Sequence, residues 1–397
     1  MSLRFASAIS PRASSGAAVE SLIAAVDRQM TLGMVDLVLF FSSPQHVRSM
    51  EKVTDRLTET FPNAVMVGCT ACGTIGVDRE IEKKPSMALW TASLPDVNIW
   101  PFHLRQNQLE NAQNPLDFER LVGVSAESDP VFVALADPFR LDLFDFLEQV
   151  NEYYPGAPLI GGVASGSYQP GRNMVIINGE VHNEGVVGVA LTGNLKIDAV
   201  VSQGCRPIGK PFVVTRGQHN IILELGGHPP LSRLEDVLSC LSPEDERLAR
   251  QSLLMGRVID EYKEEFARGD FLIQNITGAD RSSGAIAVAG PVRVGSTVQF
   301  HVRDSESADE DLREALQPYV GGDVQAALLF GCNGRGTHMW TDPGHDVGVV
   351  RERLGRIPVA GMFCAGEFGP IGGTNFVHGF TASIALFRPG RLPDAPG

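Results

Sequence analysis

A unit of strand, helix and strand occurs three times along the chain, and this internal repeat limits the possible folds more than any single motif does. The first copy has apolar runs at 35–41 and 64–67, with apolar residues at helical spacing between them. The second copy repeats this order over 131–166, and the third begins with the apolar run 324–330. Because two parallel strands need a crossover connection, usually a helix, each copy predicts a βαβ unit.

Each predicted helix begins at a polar residue followed by proline, which is typical of a helix N-terminus. The three pairs are Ser43-Pro44, Asp137-Pro138 and Asp342-Pro343. A second proline ends each helix and leads into a glycine-rich segment. We therefore expect Asp342 to cap the third helix.

The extended runs that follow the glycine-rich segments predict mixed sheets. We expect the runs 87–92 with 97–102, 186–191 with 197–201, and 376–387 to add antiparallel strands to the sheet of their own copy. Asn178-Gly179 is a strong signal for a two-residue hairpin turn. The predicted fold class is α/β, with two domains of repeated β-α-β-β units and glycine-rich loops at the carboxyl ends of strands.

The pattern changes between the second and third copies, where glycine and proline cluster at 204–212. The predicted domains are therefore 1–207 and 208–397. The first contains βαβ repeats at about 31–104 and 127–203. The second contains a helical and hairpin insert at 228–320, including helices at 232–241 and 243–267, and the third repeat at 321–388.

Charge and cysteine content limit the molecules that the protein is expected to bind and the compartment in which it is expected to lie. The chain of 397 residues has 33 Lys and Arg against 47 Asp and Glu, a formal net charge of −14. Such a surface repels phosphate backbones and anionic lipid, so we expect no nucleic acid and no membrane among its partners. The N-terminus lacks the apolar region of a secretory signal. Six cysteines among apolar residues suit a reducing compartment, which predicts a cytoplasmic protein.

Several segments together resemble the FIST family (F-box and intracellular signal transduction domains). The N-terminal FIST region is indicated by Phe5-Ala6-Ser7-Ala8-Ile9-Ser10, the strand 36–42, Gly68-Cys69-Thr70-Ala71 and Leu159-Ile160-Gly161-Gly162. The C-terminal region is indicated by the segments 330–336, 358–370 and 378–381. The resemblance covers nearly the whole chain.

This resemblance implies a sensory module that binds a small molecule such as an amino acid, and it brings no established catalytic mechanism. No F-box or signalling output domain is recognisable in the chain. We then expect ligand binding to be signalled through a separate signalling or regulatory protein, whose identity is unknown, or through a change in the oligomeric state of a homo-oligomer.

The candidate ligand-binding residues follow the two main strands of the third repeat, where open α/β sheets bind their ligands. Arg335 could bind a carboxylate through two parallel hydrogen bonds, and Glu367 could pair with an amino group. The alternative is that Arg335 and Glu367 pair with each other or cap a loop. The candidate set comprises Gly331, Cys332, Asn333, Gly334, Arg335, Gly336, Cys364, Gly366, Glu367, Gly369, Gly373 and His378. The corresponding secondary loops contain Gly68, Cys69, Thr70, Gly73, Gly161 and Gly162.

Two other functions stay open. A cysteine-dependent enzyme would use Cys332 or Cys364 as nucleophile, with His378 or His338 as base. A protein-interaction adaptor would need no ligand.

Cofactor and metal motifs are weak. The CxxC of Cys69 and Cys72 has no equivalent in the other copies. We therefore interpret both cysteines as small residues packed at a tight turn. The group His338, Asp342, His345 and Asp346 has no standard zinc spacing, so no metal is predicted. The chain has neither a GxGxxG motif after a strand nor a GxxxxGK[ST] motif, the two common nucleotide-binding loops, and no cofactor is expected.

Overall fold

The computed structural model describes residues 2–263, 265–266 and 268–390, and they form two units. The first unit takes the described residues of 1–201, 312–377 and 381–397, and the second takes those of 202–311 with 378–380. Each unit is described by itself below.

The first and second repeats follow each other directly in the chain. Repeat one consists of β1 (Arg4–Ser10), α1 (Ser15–Asp27), β2 (Leu37–Ser42), α2 (Met50–Thr60), β3 (Val65–Thr70), β4 (Gly73–Gly76), β5 (Arg79–Glu82) and β6 (Met87–Ser93). Repeat two consists of β7 (Val97–Leu104), α3 (Gln106–Asn111), α4 (Pro115–Val122), β8 (Val131–Ala136), α5 (Leu143–Tyr153), β9 (Leu159–Val163), β10 (Val175–Ile177), β11 (Glu180–His182) and β12 (Val186–Gly193).

The third repeat is interrupted after its first strand. That strand is β13 (Leu195–Gln203). The interruption contains β14 (Cys205–Gln218), β15 (Ile221–Leu225), α6 (Pro230–Leu238), α7 (Pro243–Gln251), β16 (Leu253–Val258), β17 (Phe271–Asp280), β18 (Ala285–Val288), β19 (Thr297–Arg303) and α8 (Ser305–Leu316). The repeat resumes with β20 (Ala326–Cys332), α9 (His345–Leu354), β21 (Val359–Cys364), β22 (Glu367–Ile371), β23 (Thr374–His378) and β24 (Thr381–Pro389).

The three predicted βαβ units are present. The pairs β2–β3, β8–β9 and β20–β21 are parallel, while β6, β12 and β24 run antiparallel beside β2, β8 and β20. The predicted α/β class with mixed sheets is confirmed.

Each sheet also includes a hairpin from another repeat. The strand orders are β1-β6-β2-β3-β10-β11, β23-β22-β9-β8-β12-β7 and β13-β24-β20-β21-β4-β5. The hairpin of repeat two thus completes the sheet of repeat one, that of repeat three completes the sheet of repeat two, and that of repeat one completes the sheet of repeat three. The predicted Asn178-Gly179 turn joins β10 to β11, with both residues at positive φ as a type I′ turn requires.

Two expected strand positions are wrong. The runs 97–102 and 197–201 do not join the sheet of the preceding repeat. They form β7 and β13, which pair with β12 and β24 as the outer strands of the next sheets. Alternating apolar residues identify a strand, but they do not say which neighbour it pairs with.

A shared core lies against the three sheets in the first unit. Phe41, Trp90, Ile160, Phe330 and Phe387 belong to one buried cluster that draws residues from all three. Separate clusters join the other faces of the sheets to helices, with α1 and α2 on the first, α4 and α5 on the second, and α8 and α9 on the third. Each sheet is therefore buried on both faces, which explains its continuous apolar strands.

The second unit is a closed barrel with the strand order β14-β15-β18-β17-β16-β19. Its core includes Val214, Met255, Ile286 and Phe300. The predicted helix at 243–267 is wrong beyond Gln251, because residues 253–258 form β16 and pair with β17 and β19. No described helix in the chain is both long enough and apolar enough to cross a membrane.

The compact units are divided differently from the predicted domains 1–207 and 208–397. The third repeat lies in the same unit as the first two because β21 pairs with β4 and β22 pairs with β9. The second unit begins at Ser202, earlier than the predicted insert at 228–320.

Candidate functional site

Arg335 is the centre of a buried polar cluster in the first unit. It follows β20, and its side chain is fully buried. Its Nε and Nη2 donate to the two carboxylate oxygens of Asp346 at 2.7 and 2.8 Å. Nη1 has no hydrogen-bond acceptor among the described residues. The partner of Arg335 is therefore Asp346, and not Glu367 as the alternative prediction had it.

Asp346 belongs to the first turn of α9, which begins later than expected. The helix starts at His345 after Gly344, so the exposed Asp342 is not its cap. Burial favours the protonated form of Asp346, but the charge and hydrogen bonds of Arg335 outweigh it and lower the pKa of this carboxyl to about 2. Arg335 and Asp346 therefore form a bidentate, buried ion pair. Removing one partner strongly destabilises a protein, because the other charge stays buried without compensation.

Two aromatic side chains lie beside this ion pair. The Trp340 and His345 rings are stacked, with centroids 3.7 Å apart and planes 6° apart. The Arg335 guanidinium lies 5.1 Å from the centroid of Trp340, and His345 Nδ1 is 3.0 Å from an Asp346 oxygen. Arg335 and Asp346 thus hold the orientation of both rings.

An open cleft of about 540 Å³ is bordered by these rings. Its lining includes Trp340, Asp342 and residues on one face of α9, where His345, Gly348, Val349 and Glu352 recur at helical spacing. Arg313 of α8 completes it and donates to Glu352 at 2.8 Å. The cleft therefore offers an aromatic face beside charges of both signs.

The hairpin β4–β5 of repeat one reaches this cluster. Glu82 accepts hydrogen bonds from the Thr337 backbone N–H at 2.8 Å and from its hydroxyl at 3.1 Å. Glu80 is buried, accepts from the Val347 N–H at 3.0 Å and leaves Oε2 without a hydrogen-bond donor among the described residues. Burial, together with the charge of Asp346, raises the pKa of Glu80 to about 8.

Glu367 lies in surroundings that favour its protonated form. It is fully buried at the start of β22 and accepts from the Thr381 N–H and hydroxyl at 3.2 and 2.9 Å. Burial raises the pKa of Glu367 to about 8 against the effect of these hydrogen bonds. A protonated carboxyl is a poor partner for an ammonium group.

The other predicted residues of the third repeat are spread along its strands. Gly331 and Cys332 end β20, Asn333 and Gly334 are half-buried, and the Asn333 N–H donates to the Cys364 carbonyl at 2.9 Å. Gly336 has a φ of +55° and lies against Glu82. Gly366 and Gly369 are buried at β22, and Gly373 lies in the exposed turn between β22 and β23. His378 is buried at the end of β23.

Three equivalent glycines, one in each repeat, are strand residues. Gly68 lies in β3, Gly161 in β9 and Gly361 in β21, and these strands pair in parallel with β2, β8 and β20. A Cβ atom at these positions would lie 2.4, 1.9 and 1.7 Å from a backbone oxygen of the partner strand. These glycines therefore permit close strand contact, which is a role distinct from ligand binding.

The cysteines of the first unit are buried or nearly so. Cys364 is fully buried, and burial raises the pKa of its thiol well above the ordinary value. The Cys69 Sγ lies 3.1 Å from the Met362 Sδ, and the Cys72 N–H donates to Ser165 Oγ at 2.9 Å. Thr70, beside Cys69, donates its N–H to the Met174 carbonyl, while Gly73 begins β4 and Gly162 packs against Cys364. Burial and a raised pKa both disfavour the thiolate form that a nucleophilic cysteine needs.

Sequence reasoning did not assign Glu80, Trp340, Arg313 or Glu352 to a site. Glu80 carried no signal, because β5 reaches the third repeat through pairing between residues far apart in sequence. The sequence groups His345 and Asp346 with possible metal ligands, but their connection to Arg335 depends on where α9 begins. Among the described residues, no group of three or more metal-ligating side chains is placed to hold a metal ion.

Two family models match consecutive parts of the chain. The FIST N domain matches residues 36–228, and the FIST C domain matches residues 230–370. An uncharacterised protein of Mycobacterium tuberculosis strain H37Rv is 37% identical over 363 residues, which cover 89% of this chain and 92% of the relative. An uncharacterised protein of Mycobacterium bovis is 38% identical over 354 residues, which cover 88% and 90%.

A solved structure also aligns along the chain. It is the crystal structure of cyanuric acid hydrolase from A. caulinodans, with 9% sequence identity, coverage of 98% of this chain and 100% of that chain, and a TM-score of 0.37.

Proposed function

The chain belongs to the FIST family, whose domains are sensory domains of signal transduction, and we propose that it binds a small zwitterionic metabolite of the amino-acid class. The proposed site is the cleft beside Trp340 and His345, with Arg313 and Glu352 on its rim. Occupancy is passed to a separate protein partner.

The strongest support for this ligand class is the combination of groups in the cleft. A zwitterion carries a carboxylate and an ammonium group a few ångströms apart. Arg313 and Glu352 are a complementary pair of charges at 2.8 Å, and a ligand can exchange this ion pair for two of its own. The stacked rings of Trp340 and His345 border the cleft and offer an apolar surface to the side chain of the ligand.

Arg335 acts as a positioning residue in this proposal. It is fully buried and already paired with Asp346, so it does not bind the ligand directly. Its role is to orient the rings of Trp340 and His345. The rings border the cleft, so a ligand that moves them also acts on the buried ion pair. This contact offers a route from occupancy to the rest of the unit.

The test is a calorimetric and thermal-shift screen of the full chain against amino acids and related metabolites. A ligand at about 100 times its Kd stabilises a protein by about 2.7 kcal/mol, which raises Tm by several degrees. We expect a hit whose Kd rises at least tenfold in Arg313→Ala. Arg351→Ala is the matched control, because Arg351 lies on α9 but does not line the cleft.

Each outcome of this screen is decisive. A hit that weakens in Arg313→Ala and persists in Arg351→Ala supports the cleft as the site. A hit that both variants retain places the ligand elsewhere, and no hit from folded protein favours an adaptor that needs no ligand.

A further inference from the structure

An open pocket of about 420 Å³ lies against the barrel of the second unit. Its lining comes from β14, from α6 and from the segment that follows α6. Phe212 and Val237 give it buried apolar walls from the barrel core, and the half-buried Leu241 packs against the same core. Lys210 and Cys240 belong to the lining and are exposed. A pocket of this size, with apolar walls and few polar groups, is typical of small-molecule sites.

A bulge in β14 forms one side of this pocket. The pairing of β14 with β19 shifts between Ile208 and Phe212, so the three residues 209–211 lie opposite Gln299 alone. The buried Gln299 side chain donates to the Gly209 carbonyl at 2.9 Å. Gly209 has a φ of +64°, and a Cβ atom there would lie 2.7 Å from a side chain of α6. The bulge therefore brings β14 close to α6 and places Lys210 beside the pocket.

Positive charge prevails around the Phe212 ring. The Lys210 Nζ lies 5.9 Å from the centroid of this ring, and the Arg233 guanidinium lies 5.6 Å from it. Among the described lining residues, Asp236 supplies the carboxylate, and it pairs with Arg233 at 3.5 Å. No described carboxylate forms an ion pair with Lys210. An ammonium group is thus available beside an apolar wall.

We propose that this pocket binds a small organic acid whose apolar part is a short alkyl chain or a single ring. The ligand carboxylate pairs with Lys210, and its apolar part lies against Phe212, Val237 and Leu241. A cationic ligand of the same size would be repelled by Lys210, and a neutral one would gain no ion pair. The site lies on the second unit and does not depend on the cleft of the first unit.

Cys240 makes occupancy of the pocket measurable. Among the described cysteines it is the exposed one, while the other five are buried or half-buried. The test is the rate at which neutral iodoacetamide alkylates Cys240 in the full chain, followed by mass spectrometry. We expect octanoate and phenylacetate to slow this reaction, because a ligand in the pocket blocks access to the thiol. Octanamide should protect much less, and acetate at equal concentration controls for ionic strength.

Two matched variants test the role of the charge. Lys210→Met removes the ammonium group but keeps an apolar stem, and it should raise the octanoate Kd about fivefold, as the loss of a partly exposed ion pair does. Arg216→Met is the control, because Arg216 is an exposed cation of β14 that pairs with Glu224 outside the pocket. Cys240→Ser identifies the alkylation signal, which it should remove. Circular dichroism and Tm establish that each variant is folded.

The outcomes separate the proposal from its alternatives. Protection by octanoate that weakens in Lys210→Met and persists in Arg216→Met supports an acid-binding pocket. Equal protection by octanoate and octanamide would show a pocket that selects only apolar shape, and it would overturn the assignment of an acid. No protection by octanoate or phenylacetate, or an unchanged Kd in Lys210→Met, also overturns it.

Discussion

At the scale of single residues, the repeated glycines show how one backbone contact constrains three positions. Gly68, Gly161 and Gly361 are equivalent in the three repeats, and each lies beside a carbonyl oxygen of the neighbouring parallel strand. A side chain at any of them needs the two strands to separate. The requirement comes from packing and holds whether or not a ligand binds.

Gly361→Ala should lower the free energy of unfolding by several kcal/mol, because its Cβ would lie 1.7 Å from the Leu329 oxygen. Chemical denaturation of the purified protein measures the change. Gly348→Ala is the control, since Gly348 lies in α9 with no atom near its added Cβ, and alanine there should be neutral or stabilising by up to ~1 kcal/mol. Equal stability of the two variants would contradict this account of the glycines.

At the scale of elements, α9 connects the buried cluster to the cleft. Its first turn carries His345 and Asp346, and a later turn on the same face carries Glu352. The helix begins at His345 without a side-chain cap. Its register therefore rests on the pairing of Asp346 with Arg335 and on the Glu80 carboxyl that accepts the Val347 N–H.

Asp346→Asn should destabilise the protein by about 3–5 kcal/mol, because it leaves the fully buried Arg335 without a counter-charge. The measurement is the guanidinium midpoint, with the tryptophan fluorescence recorded in parallel. Asp342→Asn serves as the comparison, since Asp342 is exposed and lies outside the helix. A large effect of Asp342→Asn, with little from Asp346→Asn, would restore the predicted cap and refute the ion pair as the stabilising contact.

At the scale of the whole molecule, the exchange of hairpins joins the three repeats of the first unit. The sheet of repeat two needs β22 and β23, and the hairpin β4–β5 needs β21. No repeat therefore completes all of its own hydrogen bonds. Removing one repeat leaves unpaired strand edges and uncovers the shared core.

The fragment 1–207 should consequently fail to unfold cooperatively, although it contains two entire repeats. It lacks the strands that pair with β4 and β9, so we expect a broad denaturation curve and self-association in size-exclusion chromatography. The full chain under the same conditions provides the reference. A monomeric fragment with a sharp transition would instead support 1–207 as an independent domain.

Much of the local structure could be predicted, and the reason is its short range. The parallel pairing of β2 with β3 follows from two apolar runs and the helix between them. The Asn178-Gly179 turn follows from two residue types that adopt positive φ readily, as both do here. The position of Arg335 after a strand was also predictable. Its partner was not, because the predicted cap at Asp342 placed the start of α9 two residues too early.

The sequence by itself determined the three βαβ units, the α/β class and the membership of the FIST family, because periodicity, turn residues and family motifs are local properties. Tertiary structure alone decided which sheet each hairpin completes and that Glu80 of repeat one accepts the Val347 N–H of repeat three. These features depend on contacts between residues far apart in the chain. Many pairings satisfy the same alternation of apolar residues, and the packing of the shared core selects one of them.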